Sequence, residues 1–296
     1  MTTMQRVIAT HPLASYFALT FAISWGGAIL VMGASGAMSA ALMNEPRFIY
    51  ALMAMLAGPT VSTLVLTSVT EGRRGLRELR RRLFAWHVAA RWYGVALLTA
   101  PLLWVATLFV LRQISPVFTP GVAVSPDQLA LILFGLPVGI AAGAFEEIGW
   151  TGFAIPQLRQ RHSPLATGLL MGVMWGAWHL LTNVFWAARV SAGDLPLSLY
   201  IPVSAIGVLA GYLVAFRVLM VWVYERTRSV LIAILMHTSL TASVLILDPA
   251  GISGSALLTY SFALAIAVWL AAAVVMVKNR WHVRRHRVQA IPASAA

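Results

Sequence analysis

The chain has 296 residues, of which 60% are hydrophobic and 10% charged, and its 21 basic and 9 acidic residues give a net charge of +12. Soluble domains carry about 25% charged residues, so this composition excludes a soluble globule and indicates a membrane protein. The absence of cysteine excludes disulfide frameworks, thiol nucleophiles and cysteine-ligated zinc sites. The basic residues lie between apolar segments, so we expect no nucleic-acid partner.

Apolar segments long enough to cross a hydrocarbon core of about 30 Å recur along the whole chain. We predict eight transmembrane helices, near residues 12–32, 48–70, 92–112, 128–150, 164–185, 200–222, 228–247 and 255–277. No polar stretch is long enough to form a soluble domain. The predicted fold is therefore an all-α, polytopic helix bundle over residues 1–296, a single integral domain surrounded by membrane lipids, and we expect it in the bacterial plasma membrane.

The orientation of the bundle is predicted from Lys and Arg, which short cytoplasmic loops retain. With the N-terminus inside, 17 basic residues fall on the cytoplasmic side and three on the outer side, so we predict both termini in the cytoplasm. Arg217 lies within a predicted span, and we expect its side chain to extend to the cytoplasmic membrane surface. The alternative for the first span is a signal peptide that is cleaved among the small residues 33–40.

Residues 71–91 form a strongly basic stretch between two predicted spans. One interpretation is an amphipathic helix on the lipid headgroups, with Leu76, Leu79, Leu83 and Phe84 facing the acyl chains. The other is a charged cytoplasmic loop that only sets the topology. We favour the loop.

Ionisable side chains inside a bilayer are costly unless they are paired or hydrated, and so they indicate function. Only two of the nine acidic residues, Glu146 and Glu147, lie in apolar surroundings. Only two of the seven histidines, His179 and His237, lie well inside predicted spans. Adjacent helical residues point about 100° apart, so we expect different roles for the two glutamates. One could act as general base on a water while the other orients it, and the histidines could contact the same water or a developing oxyanion.

A glutamate with two histidines is also the ligand set of one class of catalytic zinc site, which keeps a fourth position open for water. One divalent metal such as zinc could therefore bind Glu146, His179 and His237. The helical zinc-protease pattern, in which two histidines stand four residues apart around a glutamate, is absent from the sequence. A metal site would therefore be assembled only in the folded bundle.

Three motifs resemble those of the bacterial CAAX-protease and bacteriocin-processing (CPBP, or Abi) family of intramembrane metalloproteases. The first is FEEIGWTGFAIPQL at residues 145–158, the second is WGAWH at 175–179, and the third begins at His237. The resemblance implies a catalytic core over residues 125–248. It also implies an endopeptidase whose motif glutamates and histidines activate water, with a prenylated or otherwise membrane-associated protein or peptide as substrate.

Two positions depart from the motifs of that family. Thr151 stands where the first motif commonly has arginine, and Thr241 stands four residues after His237, where the third commonly has asparagine. A hydroxyl can replace part of the hydrogen bonding of an amide, so Thr241 is the candidate oxyanion donor or orienting residue. Two other functions fit the same residues: a proton- or cation-coupled transporter, and a catalytically silent immunity or scaffold protein.

The candidate residues also lead to a geometric prediction. We expect Glu146, His179 and His237 to converge on one pocket near the midplane or in the cytoplasmic half of the membrane. This requires the fourth span to continue past Trp150, toward Pro156. Separations of about 7 Å or more between carboxylate and imidazole would contradict a common hydrolytic site. Trp150, Trp175 and Trp178 could line a substrate groove, but we interpret them as packing residues or interfacial anchors.

Overall fold

The computed structural model describes residues 6, 8, 10–33 and 45–279, and in this part of the chain every regular element is a helix. In chain order the main helices are α1 (Pro12–Met32), α2 (Phe48–Thr70), α3 (Gly72–Leu83), α4 (Ala90–Arg112), α5 (Gln128–Arg159), α6 (Pro164–Trp186), α7 (Leu197–Ala210), α8 (Tyr212–Thr227), α9 (Val230–Leu247) and α10 (Gly254–Lys278). Counting α7 with α8 as one, the described residues contain eight segments long and apolar enough to span a membrane. The predicted all-α fold and its eight spans are confirmed.

The observed spans differ from the predicted ones at two informative places. α5 continues to Arg159 and contains a π-helical turn at Trp150–Ala154, so the predicted continuation past Trp150 is present. The sixth span is broken at Gly211, where a Cβ would lie 1.9 Å from the Gly207 carbonyl oxygen. Only glycine fits this break. The small residues 34–40, which hold most of the predicted cleavage region, lie outside the described residues.

The basic stretch after α2 is helical, so the interpretation as a loop is wrong. α3 buries Leu79, which is 5% exposed, and a Cβ on Gly152 of the α5 π turn would lie 2.8 Å from the Leu79 Cδ1. Arg82 donates hydrogen bonds to the Gly152 carbonyl oxygen and to the Tyr224 hydroxyl, each at 3.0 Å. Leu79 thus faces the protein rather than the acyl chains, because the helix has an apolar face that the π turn of α5 covers.

Glycines spaced four residues apart let two pairs of helices approach closely. In α5, a Cβ on Gly135, Gly139 or Gly143 would lie 2.7 to 2.8 Å from an atom of α9. The same spacing recurs where α6 packs against the broken span, at Gly168, Gly172 and Gly176. Small residues at such spacing are typical of tight helix packing in membranes. The two contacts bring α5 to α9 and α6 to α8, and these four helices carry the site.

Candidate active site

The predicted site residues lie on three helices and beside two π-helical turns. Glu146 and Glu147 precede the π turn of α5, His179 precedes a second π turn at Leu180–Trp186 in α6, and His237 lies inside α9. Both glutamates and His237 are at most 3% exposed, whereas His179 is half-buried. π turns widen a helix locally and are frequent at functional sites.

Glu147 is held by three side chains, each from a different part of the fold. Arg217 of α8 donates through Nη1 to both carboxylate oxygens, at 2.9 Å each. The Thr151 hydroxyl, one helical turn along α5, donates to Oε2. His237 Nδ1 lies 2.7 Å from Oε1. Because a carboxylate only accepts hydrogen bonds, Nδ1 of His237 carries a proton and donates it to Glu147.

Glu146 has a different environment, as the angular offset of adjacent residues predicts. Its Oε2 accepts hydrogen bonds from the indole Nε1 of Trp175 at 2.7 Å and of Trp150 at 3.1 Å. Its Oε1 lies 3.8 Å from Nε2 of His237. This separation is too long for a direct hydrogen bond and short enough for one water to contact both atoms.

His179 stands beside the same tryptophan that holds Glu146. Its Nδ1 is 2.9 Å from the Trp175 carbonyl oxygen, so Nδ1 donates there and Nε2 keeps its lone pair. The rings of His179 and His237 each lie 5.2 Å from the Trp175 ring, measured between centroids. The two imidazoles therefore flank one indole, and the structure brings both histidines and Glu146 together around Trp175.

Thr241 lies one helical turn beyond His237 on α9 and is half-buried. Its hydroxyl makes no hydrogen bond to another residue in the part of the chain that the structure describes. Its role as oxyanion donor stays a prediction.

The arrangement of donors does not match a three-ligand metal site. Among the described residues, no group of three Asp, Glu or His side chains is close enough together to hold a metal ion. Oε2 of Glu146 already accepts two indole N–H groups, and the Glu147 oxygens are bound by Arg217, Thr151 and His237. These contacts leave Oε1 of Glu146 and Nε2 of His179 and His237 free, so a metal ion would bind there only if the three groups came closer together. The steps proposed for the chain pass through no metal.

Arg217 does not extend to the membrane surface, and that expectation is wrong. The residue is 0% exposed, and its guanidinium carbon lies 4.1 Å from the centre of the Trp175 ring. The physical reason is the pairing with Glu147, since a buried opposite charge and good hydrogen bonds compensate for the loss of hydration. The signal available in the sequence was an arginine within an apolar span, which usually has a partner inside the bundle.

The interpretation of the tryptophans as mere packing residues is also incomplete. Trp150 and Trp175 donate their indole N–H groups to Glu146. Trp150 and Thr151 each stand four residues after the glutamate that they contact, a spacing that places side chains on the same helix face. This spacing was visible in the sequence, whereas the Trp175 contact joins residues 29 positions apart on two helices.

Comparisons with known proteins find similarity in the part of the chain that carries this site. Residues 128–243 match the family model described as Type II CAAX prenyl endopeptidase Rce1-like. A stretch of 62 residues is 37% identical to CAAX prenyl protease 2 of Methanococcus maripaludis, and this match covers 21% of the chain and 21% of that relative. The chain thus matches about a fifth of the length of its curated relative. The part of the chain that carries the candidate site is therefore similar to CAAX prenyl endopeptidases, and the predicted resemblance is confirmed at that level.

Proposed function

We propose that the chain is an intramembrane endopeptidase that hydrolyses a peptide bond of a prenylated or otherwise membrane-associated protein. The observation that carries the proposal is the 3.8 Å gap between Glu146 Oε1 and His237 Nε2. The other polar side-chain atoms of these two residues are engaged, by two indoles and by Glu147. The gap therefore offers a water molecule two adjacent acceptors. The Rce1-like match of residues 128–243 favours hydrolysis over transport and over a silent scaffold.

In this mechanism Glu146 is the general base. Oε1 takes a proton from the water, the water oxygen forms a bond to the scissile carbonyl carbon, and the carbonyl oxygen becomes an oxyanion. The indole donors on Oε2 fix the orientation of the carboxylate. Glu147 fixes the ring of His237 through Nδ1, so that Nε2 presents its lone pair to the water, as the carboxylate of a catalytic triad orients its histidine.

The second half of the reaction needs an oxyanion donor and a proton for the leaving group. We assign the first role to the Thr241 hydroxyl. Protonated Glu146 then transfers its proton to the amide nitrogen as the carbon–nitrogen bond breaks, which regenerates the carboxylate. His179, whose Nε2 keeps a lone pair, is the second group that can orient the water.

The proposed substrate class rests on the position of the site within apolar spans and on the description of the matched family. A prenyl chain partitions into the acyl region and carries the attached peptide to the membrane. A peptide with a prenylated cysteine near its C-terminus is therefore the first substrate to test. We propose that it reaches the site from the cytoplasmic side of a bacterial plasma membrane.

The test is cleavage of a farnesylated CAAX peptide by the full chain in lipid vesicles. We expect Glu146→Gln to lower kcat by about 100-fold or more, because the general base is lost. The matched control is Asp248→Asn, which is also a carboxyl-to-amide change. Asp248 lies at the C-terminal end of α9 and accepts a hydrogen bond from Trp104 at 2.8 Å. We expect this control to retain activity.

Two results would contradict the proposal: no cleavage by the unaltered chain, or equal cleavage by Glu146→Gln. The involvement of a metal is decided in the same preparation by elemental analysis and by cleavage after dialysis against a chelator. Stoichiometric zinc, together with activity that is lost on chelation and restored by zinc, would replace the direct role of Glu146 as base by a metal-bound one.

A further inference from the structure

We infer that Arg217 of α8 is a positioning residue of the hydrolytic site, and that an arginine at residue 151 of α5 could replace its contact with Glu147. The inference rests on the proposed function. It concerns a residue outside the four glutamates and histidines and assigns it a separable role: to keep Glu147 ionised and both carboxylates in place.

Arg217 contacts one carboxylate directly and the other through an aromatic ring. Its Nη1 binds both oxygens of Glu147 at 2.9 Å, and its guanidinium lies 4.1 Å from the centre of the Trp175 ring. The indole N–H of Trp175 in turn holds Glu146 at 2.7 Å. Arg217 therefore holds Glu147 directly and Glu146 through Trp175.

A purely structural role does not explain this arginine. Within the described residues, its Nε and Nη2 are buried and have no hydrogen-bond partner. Buried polar groups that serve stability are nearly always satisfied, and a buried ion pair is on balance often no better than apolar residues of the same volume. The arrangement is therefore costly for folding, and we assign it to the control of the charge and direction of Glu147.

Position 151 is the place on α5 from which the same carboxylate can be reached. The Thr151 hydroxyl donates to Oε2 of Glu147, the oxygen that Arg217 Nη1 also binds at 2.9 Å. The two side chains are therefore neighbours at one atom, and both residues are 0% exposed. If threonine and arginine were exchanged between the two positions, the side-chain volume and the charge around Glu147 would be conserved.

The exchange is the central experiment, with cleavage of the farnesylated peptide in vesicles as the readout. We expect Arg217→Thr to lower kcat by about 100-fold with little change in KM, since the residue does not touch the substrate. We expect the double variant Thr151→Arg, Arg217→Thr to recover activity to within about tenfold of the unaltered chain, because the guanidinium returns to Glu147. The matched control is Arg159→Thr. Arg159 pairs with Glu225 at 3.0 Å and contacts none of the site residues.

Unchanged activity in Arg217→Thr would overturn the inference. So would a double variant that is as stable as the unaltered chain but as inactive as Arg217→Thr, because the cation would then serve folding alone. Arg159→Thr is expected to cleave at the normal rate, and an equal loss there would show that any removed arginine has the same effect.

A second measurement does not depend on activity and separates this inference from the proposed function. Thermal midpoints in detergent are compared for Arg217→Met, Glu147→Gln and the double variant. We expect Arg217→Met to lower the midpoint by several degrees in the original background and much less beside Glu147→Gln. Equal shifts in both backgrounds would overturn the pairing. If the midpoint shift depends on Glu147 but the chain cleaves no peptide, the Arg217–Glu147 pairing is supported and the proposed function is contradicted.

Discussion

Trp175 links three helices of the site through three different interactions. Its indole N–H donates to Glu146 on α5, its carbonyl oxygen accepts a hydrogen bond from His179 on its own helix, and its ring lies against Arg217 of α8. A buried aromatic ring with a polar group is suited to this task because it packs on one side and donates on the other. The position of the general base therefore depends on a residue that performs no chemistry.

We expect Trp175→Phe to lower kcat by about 10- to 100-fold, since the ring is kept while the donor to Glu146 is removed. The assay is the same peptide cleavage in vesicles. The control is Trp222→Phe, because the Nε1 of Trp222 is buried without a hydrogen-bond partner among the described residues. If both variants cleave equally well, the hydrogen bond to Glu146 has no catalytic importance.

Helix packing determines which side chains meet in the site. α5 carries both glutamates and α9 carries His237, and glycines on α5 allow the two backbones to approach closely. A Cβ on Gly139 would lie 2.8 Å from the Thr238 carbonyl oxygen and 3.2 Å from the Ala242 nitrogen, both backbone atoms. Backbone cannot rotate away as a side chain can, so any substitution there must separate the helices.

We therefore expect Gly139→Ala to lower both stability and cleavage. The cost of overpacking is about 1–3 kcal/mol, and the wider spacing moves His237 away from Glu147. Stability is measured as the thermal midpoint in detergent and activity with the farnesylated peptide. Gly94→Ala is the control, because a Cβ on Gly94 of α4 meets nothing within 4 Å. A harmless Gly139→Ala would show that the α5–α9 distance is not limited by this glycine.

The whole bundle has an asymmetric charge distribution that predicts its orientation, with α3 on the cytoplasmic side. The absence of cysteine makes this directly testable, since a single introduced thiol has no background. Phe84, just after α3, is 66% exposed, and Ile114, just after α4, is 77% exposed. Neither residue is charged, so substitution by cysteine leaves the topology signals unchanged.

We expect Ile114→Cys to react with a membrane-impermeant maleimide in intact cells, and Phe84→Cys to react only after the cells are opened. The site would then lie in a chain with both termini in the cytoplasm. The reverse labelling pattern would show that the orientation read from Lys and Arg is inverted. The unaltered, cysteine-free chain controls for background labelling. A cytosolic marker shows whether labelling of both residues in intact cells is due to leakage.

The sequence by itself determined the eight spans, because the thickness of a bilayer sets the length of an apolar helix and charged residues are rare within it. It also singled out Glu146, Glu147, His179 and His237, since ionisable side chains are rare within spans. The assignment of Thr241 to the oxyanion stays a prediction.

Only the tertiary structure decided which groups from other helices hold these residues. The Arg217–Glu147 pair joins residues 70 positions apart, and the His237–Glu147 pair joins residues 90 positions apart. Such contacts depend on how closely α5, α8 and α9 pack, and the local period of a sequence contains no information on that distance. The same holds for α3, whose Leu79 and Arg82 contact the π turn of α5. The local pattern therefore identified the chemical groups and their partners one helical turn away, whereas packing between distant helices supplied Arg217 and the contacts of Trp175 and His237 with the glutamates.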